Sequence, residues 1–278
     1  MLDKQTIYAP AKLNLFLRII EKRDDGYHNI RSGITFINLF NVIEIKRSKT
    51  MKISYHGPHK PESGFYSNCI IQKTLNFLGL ENRMNLEINI EKNIPVQAGL
   101  GSASADAAGL IQGLDKMHLI KPQQISSYAS LGSDIPSFLF AKNCLVKGLG
   151  DLISAQYFPK YYFLLVKPSI NFSTKEMYKK ISTINFQHLI VENENEINED
   201  DTGNDFEKIL SNEFRIVHEI LDFLNNLNEA IFARMTGSGS CCYAAFETKK
   251  LANEAQENFH LAYPGLWTFV GENNAINN

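Results

Sequence analysis

Residues 95–108, Pro95-Val96-Gln97-Ala98-Gly99-Leu100-Gly101-Ser102-Ala103-Ser104-Ala105-Asp106-Ala107-Ala108, decide how this chain is read. The run before them, Leu86-Glu87-Ile88-Asn89-Ile90-Glu91, alternates apolar and polar residues and predicts a strand. A turn at Asn93-Ile94-Pro95 follows, then the small-residue loop, then an apolar-periodic segment from Ala105 to Met117 that predicts a helix. A glycine loop that opens a helix offers backbone N–H groups and the positive end of the helix dipole to an anion. Gly99, Gly101, Ser102 and Ala103 keep side chains out of the way, so a polyphosphate can lie against the backbone. The same residues also suit a tight strand-to-helix turn packed closely for its own sake.

Outward from the loop, residues 5–21 and 34–54 are rich in β-branched residues and predict strands, with a turn at Asp24-Asp25-Gly26. Ser67 to Leu78 predicts a helix with Ser67 near its N-cap and Gly79 as its stop. Leu145 to Ile153 reads as the end of a first domain, and Tyr161 to Lys167 as the start of a second set of strands. The stretch 187–205 is rich in Asn, Glu and Asp and reads as a solvated excursion. Phe206 to Leu227 predicts a helix, a strand pair follows around 235–240, and the tail after Phe269 is polar. Helices and strands mix without the regular alternation of a doubly wound sheet, so the expected class is α+β. The expected domains are 1–155 and 156–278.

With 278 residues, 44% hydrophobic and 21% charged, the chain is long enough to bury a core and has ordinary soluble composition. A formal charge of −2 and a pI near 6.4 argue against nucleic acid as a main partner. The longest apolar run, Tyr161 to Val166, is strand-length, and no signal pattern opens the chain. Four cysteines (Cys69, Cys144, Cys241, Cys242) form no zinc spacing or disulfide framework, which suits a cytoplasmic setting. One member of the adjacent pair Cys241-Cys242 is expected to face inward from a strand. A small-molecule partner is expected, no nucleic acid and no membrane, with monomer and homodimer both open.

No Gly-Lys-Ser/Thr follows the loop, so it is no Walker A sequence, and no His-Arg-Asp or Asp-Phe-Gly occurs. Leu131-Gly132-Ser133-Asp134-Ile135-Pro136 holds an acid, Asp134, that suits either a general base or a helix cap before a proline. Lys12 lies on an apolar segment, where a lysine commonly snorkels at a strand edge. Asn14, two residues on, points to the same side of a strand. Tyr27-His28 offers a π-face and an imidazole, which suit an aromatic base as well as a packed hairpin.

The loop resembles the phosphate-binding motif of the GHMP kinases, Pro-x-x-x-Gly-Leu-Gly-Ser-Ser-Ala. Pro95, Gly99, Leu100 and Gly101 fit, Ser104 matches a central serine, and Ala105 stands where many members carry a second serine. The run Ala9-Pro10-Ala11-Lys12-Leu13-Asn14-Leu15-Phe16-Leu17, with Lys22-Arg23-Asp24-Asp25-Gly26-Tyr27-His28, resembles one branch of that family. That branch phosphorylates a cytidine-diphosphate-linked sugar alcohol in isoprenoid precursor synthesis by the non-mevalonate route. Met235-Thr236-Gly237-Ser238-Gly239 matches the family's third motif, and the segment around Asp134 resembles its Gly-Ala-Asp-Val-Pro element. The likeness runs from about residue 8 to 246.

What the resemblance implies is a two-domain α+β fold, with an N-terminal domain of a kind seen in ribosomal proteins and a C-terminal α/β sandwich of ferredoxin-like character. It implies ATP and Mg²⁺, with Asp134 as base and Lys12 as its electrostatic partner. Pro95, Gly99, Leu100, Gly101, Ser102, Ala103 and Ser104 would form the ATP loop, and Ser104 would carry the metal-facing hydroxyl. Asn14 would bind the acceptor hydroxyl. Tyr27, His28 and the Leu149 backbone would read the cytosine, Tyr178 would close the stack opposite Tyr27, and Thr174 would lie near the diphosphate. Gly237, Ser238 and Gly239 would pack against the phosphate loop. Gly148-Leu149-Gly150-Asp151 departs from the usual Gly-x-Gly-Glu. Homoserine- or mevalonate-type kinases and a non-catalytic nucleotide binder are the competing expectations.

Overall fold

Two long strands start the chain, β1 (Lys4–Lys22) and β2 (His28–Arg47), which pair with each other and are joined by a turn in which Arg23 N–H donates to Tyr27 O. The structure is a computed structural model that describes residues 3–61, 69–81, 83–172, 174–181 and 203–273. These form two compact units: residues 1–11, 39–96 and 101–141, and residues 12–38, 97–100 and 142–278. The first two strands contribute residues to both.

In the first unit, β3 (Lys52–His56) lies parallel to β4 (Leu86–Glu91), which pairs antiparallel with the end of β2 through Ile43↔Ile90 and Ile45↔Ile88. The alternation read in 86–91 is realised: Leu86, Ile88 and Ile90 are buried, and the residues between them are half-buried. Residues 34–54, expected as one strand stretch, are the end of β2, a break at 48–51 and the start of β3. Helix α1 (Ile70–Phe77) starts from Cys69, and Gly79 follows it at φ +67°. The expected N-cap Ser67 lies outside the described residues. Helix α2 (Ser102–Lys116) starts three residues earlier than its apolar periodicity suggested, at a left-handed Gly101. Gly109 and Gly113, one turn apart, let it lie close on the strands. A Cβ at either would come within 2.5 Å of the Cδ1 of Ile43 or Ile45. A 3₁₀ segment (Ile125–Ser130) and α3 (Ile135–Phe140) complete the unit.

The second unit holds β5 (Cys144–Gly148), antiparallel to the first part of β2, and β6 (Leu152–Ala155), which pairs with β5. Its other sheet is antiparallel, in the order β10-β7-β9-β8, built from β7 (Tyr162–Lys167), β8 (Phe232–Met235), β9 (Cys242–Phe246) and β10 (Trp267–Glu272). Helices α4 (Thr174–Ile181), α5 (Asp205–Glu213), α6 (Arg215–Asn225) and α7 (Lys249–Ala262) share a core with one face of that sheet. On α6, Val217, Ile220, Leu221 and Leu224 supply the buried stripe that a 3.6-residue period requires. The single helix expected over 206–227 is two, because Phe214 is extended at φ −125°, ψ 101°. Tyr243 on the sheet's other side donates to Asn14 O at 2.9 Å, and Arg234 donates to Leu15 O at 2.9 Å. Both faces are therefore covered, and Cys241 and Cys242 are both fully buried, not one of the two. Burial pushes the Cys241 thiol up to about 12, which leaves it inert. The tail stays in β10 through Glu272. Most of the acidic stretch, 187–202, lies outside the described residues. Among the described residues no helix is long and apolar enough to cross a membrane.

Candidate active site

The glycine loop winds left-handed at every second residue, with φ of +52° at Gln97, +74° at Gly99 and +71° at Gly101. Ser102, Ala103 and Ser104 form the first turn of α2, where N–H groups have no partner within the helix and the dipole favours an anion. Ala103 is exposed and Ser104 half-buried, while Pro95 and Leu100 are buried. The loop thus presents backbone and small side chains, as an ATP polyphosphate needs.

Ser102 does something else. Its hydroxyl donates to Ile94 O at 3.0 Å and accepts from Lys92 Nζ at 2.7 Å. Lys92 also reaches Asp106 Oδ2 at 2.5 Å, and the other carboxylate oxygen accepts from Asn41 Nδ2 at 2.7 Å. Asn41 Oδ1 accepts from the N–H groups of Asn93 and Ile94, both at 2.9 Å. Burial pushes the Lys92 ammonium down and the Asp106 carboxyl up, each opposed by its partner's charge. This buried network ties the entry of the loop to the first turns of α2. Sequence reading missed it, although an acid inside the alanine-rich run 105–108 was a usable signal. Within the same unit Asp134 is half-buried at the N-cap position of α3, and its side chain makes no capping hydrogen bond.

In the second unit, Lys12, Asn14, Gly99 and Gly237 come together. Lys12 is 3% exposed, its Nζ donates to Asn14 Oδ1, and its N–H donates to Leu100 O at 3.1 Å. Asn14 N–H donates to Thr236 Oγ1 at 3.0 Å, and that hydroxyl lies 3.3 Å from Gly99 O. A Cβ at Gly99 would sit 2.0 Å from Thr236 O, and one at Gly237 would sit 2.9 Å from Lys12 Nζ. A Cβ at Gly237 would also come within 2.9 Å of Gly99 O, so Gly99 and Gly237 are required by close backbone approach, and Gly239, at φ +81°, ends the turn. Asn204 Nδ2 holds that turn by donating to the carbonyls of Met235 and Gly237, each at 2.8 Å.

The residues expected to read a nucleobase are arranged differently from the expected sandwich. The Tyr178 ring stacks on His28, with centroids 5.3 Å apart and planes at 27°, while Tyr27 is 65% exposed. His28 is 8% exposed, and its Nε2 is buried without a hydrogen-bond partner among the described residues. Burial, then the charge of Lys22, lowers its pKa and favours the neutral ring. Thr174 and Ser238 share a hydroxyl contact of 3.0 Å. The Leu149 N–H is given to Asp151 Oδ1 at 2.9 Å. Among the described residues no group of three His, Cys, Asp or Glu side chains converges on a metal position. Mg²⁺ usually keeps waters and substrate phosphates as ligands, so the Ser104 hydroxyl on the first turn of α2 fits such a site without a protein cage.

Residues 66–142 match the model of the GHMP kinase N-terminal domain, and residues 186–265 match that of the GHMP kinase C-terminal domain. The chain belongs to the GHMP kinase family. This GHMP kinase is similar to a 4-diphosphocytidyl-2-C-methyl-D-erythritol kinase of Neisseria meningitidis serogroup B, with 33% identity over 258 residues, 90% of this chain and 88% of the relative. It is also similar to a protein of the same name from a Thermoanaerobacter species, with 30% identity over 285 residues, 97% and 95% of the two chains. A crystal structure of 4-(cytidine 5'-diphospho)-2C-methyl-D-erythritol kinase shares the fold, with a TM-score of 0.78 and 22% identity over 97% of this chain and 99% of that one. This GHMP kinase is an ATP-dependent kinase of small molecules with the α+β fold of its family.

Proposed function

We propose that this kinase transfers the γ-phosphate of ATP to the 2-hydroxyl of 4-diphosphocytidyl-2-C-methyl-D-erythritol. The observation that carries the acceptor is His28. Its neutral ring lies stacked on Tyr178, with a buried nitrogen that nothing among the described residues satisfies. A buried polar atom of this kind costs stability unless a ligand pairs with it. A cytosine edge supplies that pair, and homoserine and mevalonate carry no such ring.

Phosphoryl transfer needs positioning, charge neutralisation and removal of the acceptor's proton. In this reading Asp134 takes the proton from the acceptor hydroxyl, Lys12 draws charge from the transferring group, and Asn14 orients the hydroxyl. The loop Pro95, Gly99, Leu100, Gly101, Ser102, Ala103 and Ser104 holds the polyphosphate, and Mg²⁺ beside Ser104 supplies charge neutralisation. Tyr27, Thr174, Tyr178 and the Leu149 backbone line the cytidine diphosphate, and Gly237, Ser238 and Gly239 back the phosphate loop. The domain limits 1–155 and 156–278 belong to the same reading, supported by the two family matches falling on either side of residue 155. Four free cysteines support a cytoplasmic setting.

The test is acceptor choice. A site built to hydrogen-bond a ligand group rejects an analogue lacking it by on the order of 10,000-fold. The ratio of kcat/KM for the cytidine-bearing acceptor to that for mevalonate or homoserine should approach that figure. Equal turnover of an acceptor without cytidine overturns the assignment.

A further inference from the structure

We infer that Ser32 is a positioning residue for the phosphoryl-transfer site, acting through the orientation of the Asn14 amide. The inference rests on the roles proposed for Lys12 and Asn14. Ser32 lies on β2, opposite Val146 of β5, and is fully buried. Its hydroxyl donates to Phe16 O at 2.7 Å. A serine hydroxyl has one proton, so toward Asn14 its oxygen can only accept. Asn14 must therefore turn its NH₂ to Ser32, and Nδ2 donates to Ser32 Oγ at 2.8 Å. That choice fixes the other end of the amide. Oδ1 is left facing the Lys12 ammonium, from which it accepts, and lies 3.4 Å from Thr236 Oγ1.

The sequence Phe16 O, Ser32 hydroxyl, Asn14 amide, Lys12 ammonium thus has a single direction of donation. A reversed amide would set Oδ1 against an oxygen with no proton to share and point NH₂ at a cation. Asn14 is 3% exposed, so water offers its amide little alternative. Its backbone is held independently, by Thr236 through the N–H and by Tyr243 through the carbonyl. Ser32 therefore governs the side chain alone. Without the hydroxyl, the buried NH₂ has no acceptor and the amide is held at its Oδ1 end alone, so the oxygen that holds the Lys12 ammonium can shift.

The test compares Ser32→Ala, Ser32→Cys and Ser32→Thr in the full chain, with ATP, Mg²⁺ and the cytidine-bearing acceptor. Cysteine nearly keeps the volume but is a weak donor and acceptor, whereas threonine keeps the hydroxyl. A misplacement of about 1 Å costs on the order of 100-fold in rate, so kcat in the Ala and Cys variants should fall by about that factor. KM for ATP should stay close to wild type, the melting temperature of the Ala and Cys variants should fall by a few degrees because a buried amide is left unpaired, and Ser32→Thr should recover most of kcat. A wild-type kcat in the Ala and Cys variants, or a Thr variant as slow as Ala, overturns the inference. Absence of wild-type turnover on this acceptor counts against the acceptor assignment instead, so the two failures are distinguishable.

Discussion

Gly99 shows how little freedom the site leaves a single residue. Its φ of +74° disfavours any L side chain, and the carbonyl oxygen of Thr236 stands 2.0 Å from where a Cβ would be. Backbone, not a flexible side chain, is the obstacle, so Gly99→Ala forces the loop or the 236–239 turn to move. We expect the variant to lose about 1–3 kcal/mol of stability from the strained conformation and to bind ATP more weakly, read by chemical denaturation and by calorimetric titration of ATP. Unchanged ATP affinity would mean that the close approach has no functional consequence. The need for Gly99 was legible in the sequence as part of a phosphate loop. The parts played by Ser32 and Thr236 were not, because a hydroxyl in or just after a strand reads as ordinary until Asn14, 18 positions from Ser32 and 222 from Thr236, is brought to it.

At the scale of elements, the entry to α2 depends on charges placed inside a core. Lys92 and Asp106 have side chains only 4% and 3% exposed and are bonded to each other, to Ser102 and to Asn41. Removing one partner leaves an uncompensated buried charge, so Lys92→Met should cost about 3–5 kcal/mol, whereas Lys92→Met with Asp106→Leu should recover most of that. Urea unfolding of both variants checks this, and equal losses would contradict it. In the single variant burial raises the Asp106 carboxyl pKa with no lysine to oppose it. The unfolded chain then ionises first as pH rises, so the loss should be smallest in acid and grow toward neutral pH. Element types were largely legible, because two-residue and 3.6-residue periods are local. Three boundaries were not. The break at 48–51 falls in a polar run, Lys46-Arg47-Ser48-Lys49-Thr50, with no glycine or proline to mark it, and α2 begins in serines that resemble loop. The break at Phe214 interrupts an apolar period that carries no glycine or proline to mark it.

For the whole molecule, motif order along the chain carried more than any local pattern. The glycine loop alone suits a plain turn and Asp134 alone suits a helix cap, yet the structure gives Asp134 no capping bond. The burial of both Cys241 and Cys242 was beyond the sequence, since it depends on β1 residues covering the second face of a sheet. So was the stacking of Tyr178 on His28, which depends on how α4 meets the start of β2. The account stands or falls on one reaction with one base. The measurement that tests it most directly is ADP release with ATP, Mg²⁺ and 4-diphosphocytidyl-2-C-methyl-D-erythritol, in the wild type and in Asp134→Asn. The account predicts wild-type turnover that falls by roughly 100- to 10,000-fold in the variant, the range a general base supplies. No wild-type turnover, or turnover untouched by the substitution, would contradict it.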